Sequence, residues 1–145
     1  MRISTLHAAC SARLAVINLG DTLRMAAISL SRPGIGLVTV CSDTGAAAGV
    51  LTKSDLVRHL SRAGMGDAPV AQLMTCAVIS CVPDDDVRST WRMMRARKLQ
   101  NLPVLGADRK PLGTLDIRDA MQALLEYEQI QEHLLIDYID GIGYR

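Results

Sequence analysis

Phenylalanine is absent from this chain, and only one tryptophan and three tyrosines are present. Any core must therefore be built from Leu, Val, Ile, Met and Ala. Aromatic platforms that stack single-stranded nucleic acid are hard to build from so few rings. An excess of charge is missing as well. Sixteen Lys and Arg against 15 Asp and Glu leave a formal net charge of +1, which gives no general attraction to nucleic acid or to an anionic membrane. No apolar run reaches membrane-spanning length. The four cysteines, Cys10, Cys41, Cys76 and Cys81, form no C-x-x-C pair and have no zinc spacing. Buried thiols in a reduced, cytoplasmic protein are the expectation. The lead-in through Ala8-Ala9-Cys10 lacks the apolar stretch of a signal peptide. His7, His59 and His133 carry no ligand spacing, and neither a P-loop nor a nucleophile–base pair is visible. The expectation is a protein that is not an enzyme and holds no metal.

What is present is an internal repeat. Gly49-Val50-Leu51-Thr52-Lys53-Ser54-Asp55 returns 64 residues later as Gly113-Thr114-Leu115-Asp116-Ile117-Arg118-Asp119. Asp21 and Asp85, Arg24 and Arg88, Val40 and Val104, and Leu60 and Leu124 share the same offset without a gap. Apolar classes follow it too, as in Leu23 with Val87 and Leu30 with Met94. With 49% apolar residues, there is enough hydrophobic surface for a core. Two copies are too few for a solenoid, and two half-domains packed face to face are expected.

Each copy reads as strand, helix, strand, strand, helix. In the first, strands are expected at 14–19, 35–41 and 47–51. A helix capped by Asp21 runs to about Arg32, and another runs from Thr52 to about Arg62. In the second, strands fall at 78–82, 102–105 and 112–115. A helix runs from the Asp84–Asp86 cluster to about Lys98. The last helix starts at Asp116 and continues, straight or kinked, to about Ile139. The expected division is residues 1–63 for the first repeat, 64–69 for a linker, 70–125 for the second repeat, and 126–145 for an amphipathic helix and tail. The fold class is α/β (α+β), two tandem β-α-β-β-α repeats with an added C-terminal helix.

This order, with Val70-x-x-Leu73-Met74-Thr75, Leu102-Pro103-Val104 and the two glycine motifs, resembles the CBS-domain pair, or Bateman module. The resemblance spans roughly residues 3–125. It implies adenosine-containing ligands (AMP, ADP, ATP or S-adenosylmethionine) bound as regulators in clefts between the repeats, and usually a dimer. It further implies that the Thr52 hydroxyl meets phosphate and that Asp55 and Asp119 accept from ribose. The adenine would slot beside Leu14 and Ala15 or Val78 and Ile79, with Leu37 and Pro103 lining the clefts. Gln100 and Asn101 stand where the family places polar phosphate contacts. Lys53, Arg58 and Arg118 are candidates for phosphate charge. Asp116 departs from the expected Thr or Ser and brings negative charge to the phosphate position, so that cleft is expected to be empty or to prefer adenosine or a cationic ligand.

Each of these residues also has a plain structural role. Thr52 and Asp55 make a capping box, and a helix N-terminus attracts phosphate through the same free amides. Leu14, Ala15, Val78, Ile79, Leu37 and Pro103 are equally good core residues. The expected function is therefore an adenosine-ligand sensor that signals to a protein partner of unknown identity. The alternative is a structural homodimer module with degenerate sites. A thiol enzyme or redox sensor using Cys10 or Cys76 is the third reading. Residues 126–145 carry a charge of −4 against +5 for the rest. Their apolar stripe from Tyr127 to Ile139 is expected to dock on a second protomer, with Arg88, Arg92 and Arg95 as a landing surface.

Overall fold

The computed structural model describes residues 1–62, 64 and 66–143. Residues 63 and 65, beside or within the expected linker, and 144 and 145, at the end of the expected tail, lie outside the described residues. After a 3-10 turn at Ile3–Leu6, the elements are α1 (His7–Ala12), β1 (Val16–Asn18), α2 (Leu23–Leu30), β2 (Leu37–Cys41), β3 (Ala47–Thr52) and α3 (Lys53–Ser61). A second 3-10 turn, Val70–Gln72, leads to α4 (Val87–Ala96), β4 (Asn101–Leu105), β5 (Pro111–Asp116) and α5 (Ile117–Gly143). The class is mixed α and β, two copies of one unit with an added C-terminal helix.

The repeat is kept down to the hydrogen-bond register. β2 pairs antiparallel with β3 from Leu37↔Thr52, and β4 with β5 from Asn101↔Asp116, each pair 64 residues on. Both hairpins shift register at the same place, between Val40 and Cys41 and between Val104 and Leu105. The shared aspartates are explained by the same geometry. Asp21 accepts the Asn18 amide at 2.8 Å, and Asp85 accepts the Val82 amide at 2.9 Å. Each closes the turn between first strand and helix. Asp21 is thus a turn residue rather than the expected helix cap, and Thr22 stands at the cap position of α2.

One expected strand is nearly lost. β1 runs parallel to β2 over Val16–Asn18, whereas in the second copy only Cys81 bridges Val104. In the first copy Leu19 N–H donates to the Cys41 carbonyl and Thr39 N–H to that of Ala15, whereas at the counterpart positions Pro83 and Pro103 have no amide to give, so the ladder cannot extend. The last helix is continuous from Ile117 to Gly143.

The two cores are interlaced. Ala15, Ile17, Leu23, Ala26, Leu30, Val38, Val40 and Leu51 pack with Val70, Leu73 and Met74 from the second lead-in. Val87, Met94, Leu102, Val104 and Leu115 pack with Ile3, Leu6 and Cys10 from the first. The backbone follows: Val70 N–H donates to the Asp21 carbonyl (3.0 Å) and Ile3 N–H to that of Asp85 (2.9 Å). Each lead-in therefore seals the other copy. The motif glycines make this close approach possible. A Cβ on Gly49 would lie 2.5 Å from Met74 Sδ, and one on Gly113 would lie 2.6 Å from the Cys10 backbone.

Candidate functional site: two unequal clefts around a basic groove

β3 ends at Thr52, whose backbone amide donates to Asp55 Oδ2 (2.9 Å) and whose hydroxyl approaches the same oxygen at 3.2 Å. This is the capping box at the head of α3. The remaining oxygen, Oδ1, faces Arg58 at 3.3 Å, across a pair whose arginine side chain is 58% exposed. Such a contact is held weakly. Opposite stand Ala77, Ile79, Leu99 and Pro103, and together with Leu37, Val50, Thr75 and Asn101 they enclose a cavity of about 180 Å³. The Asn101 side-chain oxygen is buried there with no partner in the protein. Thr52, Asp55, Ile79, Asn101, Pro103 and Leu37 thus come together, joining both repeats. Val78 is half-buried and is not part of this wall.

The cleft neighbours a larger groove of about 680 Å³ between the repeats. Thr52, Lys53 and Ser54 from the start of α3 line it, with Gln100, Asn101, Asp116 and Arg118 from the second copy. Gly34 and Lys98 also line it, again at an offset of 64. Both have left-handed backbones, at φ 81° and 57°. Glycine takes that conformation freely, whereas an L side chain strains against its carbonyl. The second copy therefore holds a lysine in a glycine's conformation at the rim of the groove. Arg58 is turned away from the groove, toward Asp55.

The second cleft is built differently. Asp116 is buried, with 5% of its side chain exposed, and Arg118 donates to it through Nε (3.0 Å), Nη2 (2.8 Å) and its backbone amide (2.8 Å). Burial pushes the Asp116 carboxyl up, but the Arg118 side-chain and backbone hydrogen bonds, with the charges of Arg118 and Arg13, outweigh it and hold the group below its usual range. Asp119 is taken by Arg13, which donates from Nε at 2.6 Å and Nη2 at 3.1 Å. Arg13 Nη1 donates to the Gly34 carbonyl at 2.8 Å. Hydrogen bonding to Asp119 holds the Arg13 charge more firmly than usual. Leu14 is half-buried beside Arg13, and Ala15 is buried in the first core.

Sequence reasoning did not single out Arg13 or Lys98. A signal existed for each at the repeat offset, where Arg13 stands against Ala77 and Lys98 against Gly34. Of the cysteines, Cys10, Cys41 and Cys81 are buried as expected, while Cys76 is exposed. Burial pushes the Cys10 thiol up to about 11 and that of Cys81 to about 12, so neither is a thiolate nucleophile at neutral pH. Among the described residues no group of three or more His, Cys, Asp or Glu is placed to hold a metal ion, and no helix is long and apolar enough to cross a membrane.

Two copies of one unit, the second with its first strand reduced to a single bridge, meet with their clefts at a central groove, which is the arrangement of a CBS-domain pair. Residues 70–126 match the model of the CBS domain, so the second repeat belongs to that family, and by fold the whole chain is a CBS-domain pair. The chain superposes with a TM-score of 0.73 on a CBS domain protein from Pyrobaculum aerophilum complexed with AMP, at 21% identity over 82% of this chain and 89% of that one. It superposes with a TM-score of 0.75 on the CBS domain pair of protein MJ0100 in complex with 5-methylthioadenosine and S-adenosyl-L-methionine, at 17% identity over 88% and 98% of the two chains. In sequence it is 31% identical over 107 residues to the arabinose 5-phosphate isomerase GutQ of Salmonella typhi, a match that takes in 74% of this chain. The match spans about a third, 33%, of that isomerase's length.

Proposed function

We propose that the chain is a regulatory module that takes an adenosine-containing ligand in the cleft of Thr52 and Asp55 and passes the change in packing to a protein partner. The observation that carries this reading is the composition of that cleft. A carboxylate with a weakly engaged oxygen faces an apolar wall of Ile79, Leu99 and Pro103, beside a groove bearing Lys53, Lys98 and Arg118. Base, ribose and phosphate each find matching chemistry: apolar contact, charge-assisted acceptor and a helix N-terminus with lysines. The ligands of the superposed proteins, AMP in one and 5-methylthioadenosine with S-adenosyl-L-methionine in the other, support the adenosine class. Isomerase activity is not part of the proposal. A ligand that prefers one arrangement of the repeats shifts the population toward it.

The test is calorimetric titration with AMP. Charge-assisted hydrogen bonds contribute about 1.5–3 kcal/mol, so Asp55→Ala is expected to weaken binding about tenfold or more while the protein stays folded. Unchanged affinity in a folded variant removes Asp55 from the site. No binding of any adenosine ligand leaves the structural module as the better reading.

Assembly as a homodimer completes the proposal, in a reducing compartment such as the cytoplasm, where free cysteines persist. Tyr127, Ile130, Leu134, Leu135, Tyr138 and Ile139 are 44–67% exposed on α5, a stripe wide enough to favour burial against a second protomer. Arg88, once expected to receive a neighbour's tail, is paired with Glu128 of its own, and Arg95 lies over Trp91. Truncation after Leu125 is expected to give monomer or aggregate in light scattering. A truncated chain that stays dimeric moves the interface to Met25 and Ile28, which are 47% and 63% exposed on α2.

A further inference from the structure

The geometry points to an intramolecular occupant for the second cleft: Arg13 fills the place that a nucleoside's ribose would take beside Asp119, so that this chain offers one adenosine site and not two. The inference rests on the reading of the Asp55 cleft as a nucleoside site, and it assigns to Arg13 the role of setting the number of ligands.

The repeat itself supplies the control. Position 77 is the counterpart of position 13, and it is alanine. Beside Ala77 a cavity of about 180 Å³ adjoins Asp55. At position 13 a guanidinium spans the corresponding space. It gives Nε and Nη2 to the two oxygens of Asp119 (2.6 and 3.1 Å) and Nη1 to the Gly34 carbonyl (2.8 Å), with Asp116 Oδ2 3.6 Å from Nη1. Both carboxylate oxygens are therefore engaged by one planar fork, the strongest arrangement open to an arginine and a carboxylate. Arg13 and Asp119 are 21% and 23% exposed in their side chains, against 58% for Arg58 beside Asp55. Water competes far less for the first pair than for the second. A ribose diol at Asp55 displaces one exposed, single contact. At Asp119 it would have to displace a sheltered bidentate pair and leave a guanidinium without its carboxylate.

Removal of Arg13 also changes what the cleft accepts. Asp116 then keeps its pair with Arg118 and Asp119 loses its guanidinium partner, so the cleft carries one positive charge fewer beside the lysines of the groove. That change favours a neutral or cationic nucleoside over a polyphosphate, relative to the unaltered chain.

The experiment is calorimetric titration with adenosine on the unaltered chain, Arg13→Ala and Arg13→Met. The methionine variant keeps the apolar stem in case alanine prevents folding. Either folded variant is expected to bind one more equivalent of adenosine than the unaltered chain, and the added site is expected to be lost on Asp119→Ala. If variant and parent bind the same number, the proposal is overturned while the reading of the Asp55 cleft stands. If the parent binds none and the variant binds one, the occupancy of the second cleft by Arg13 stands, while the Asp55 reading falls and with it the count of one site in the unaltered chain. A direct check needs no ligand. The Arg13 Nε–H resonance is expected to exchange slowly with water and to become fast in Asp119→Ala. Fast exchange in the parent contradicts the pair.

Discussion

The two repeats keep the same backbone and spend it differently. Their hairpins match in register and even in the position of the irregularity. Yet the first motif ends in Thr52 and Asp55, the latter with a single contact to an exposed arginine, and the second ends in Asp116 and Asp119, each held by two arginine hydrogen bonds. The difference teaches that duplication conserves the local frame, namely strand, turn, cap and helix start. The chemistry of each cleft is set by single positions that the frame tolerates. Alanine or arginine at position 77 or 13, and glycine or lysine at position 34 or 98, leave the fold intact and change what the clefts can hold.

The comparison can be broken most forcefully at the motif glycines. A Cβ at Gly113 meets the Cys10 backbone at 2.6 Å, which side-chain rotation cannot relieve. At Gly49 it meets the flexible Met74 side chain. Overpacking of this kind costs about 1–3 kcal/mol. Gly113→Ala is expected at or above the upper end and Gly49→Ala near the lower, as read from urea unfolding midpoints. Equal losses at the two sites would mean that the N-terminal lead-in gives way as easily as a methionine.

A smaller effect sharpens the role of the central groove. Lys98 holds a left-handed backbone, at φ 57°, where the first copy has Gly34. Lys98→Gly relieves strain of about 1–2 kcal/mol, partly offset by the freedom glycine gains in the unfolded chain. The variant is expected to unfold at a higher urea concentration and to bind AMP more weakly than the parent. A variant that is more stable and binds equally well would leave the lysine without a function in the groove.

The smallest effect is electrostatic. The Asp116 carboxyl lies below its ordinary 3.8 in the folded chain. A depressed folded value means that its contribution is fully present above about pH 4, and is lost as the pH falls through the lower, folded value. The stability gap between the parent and Asp116→Asn is therefore expected to be constant from pH 7 to 5 and to shrink below pH 4. Arg118 is 77% exposed, so screening keeps the gap small. A gap that widens with acid would reverse the assignment.

Much of the fold was legible because its signals are local. The Thr52–Asp55 capping box and the short apolar strands act within a few residues, and the internal repeat doubled the pattern. The strand expected at 78–82 failed for an equally local reason, the prolines at 83 and 103 where the first copy has the ladder donors Leu19 and Thr39. The candidate site was legible only on the side of the cleft that the motif supplies. Thr52, Asp55, Asn101 and Pro103 were identified, and they lie around one cavity. Arg13 was not, because its partner Asp119 is 106 residues away. No periodicity or capping rule reports on a contact at that range. The interlacing of the lead-ins was hidden for the same reason.

The most direct test is a crystal structure of the chain grown or soaked with AMP. The account predicts nucleotide density in the Thr52/Asp55 cleft, with the ribose on Asp55, the base against Ile79 and Pro103, and the phosphate toward Lys53. It also predicts that Arg13 remains on Asp119. Nucleotide beside Asp119 with Arg13 displaced, or density in neither cleft at saturating AMP, would contradict it.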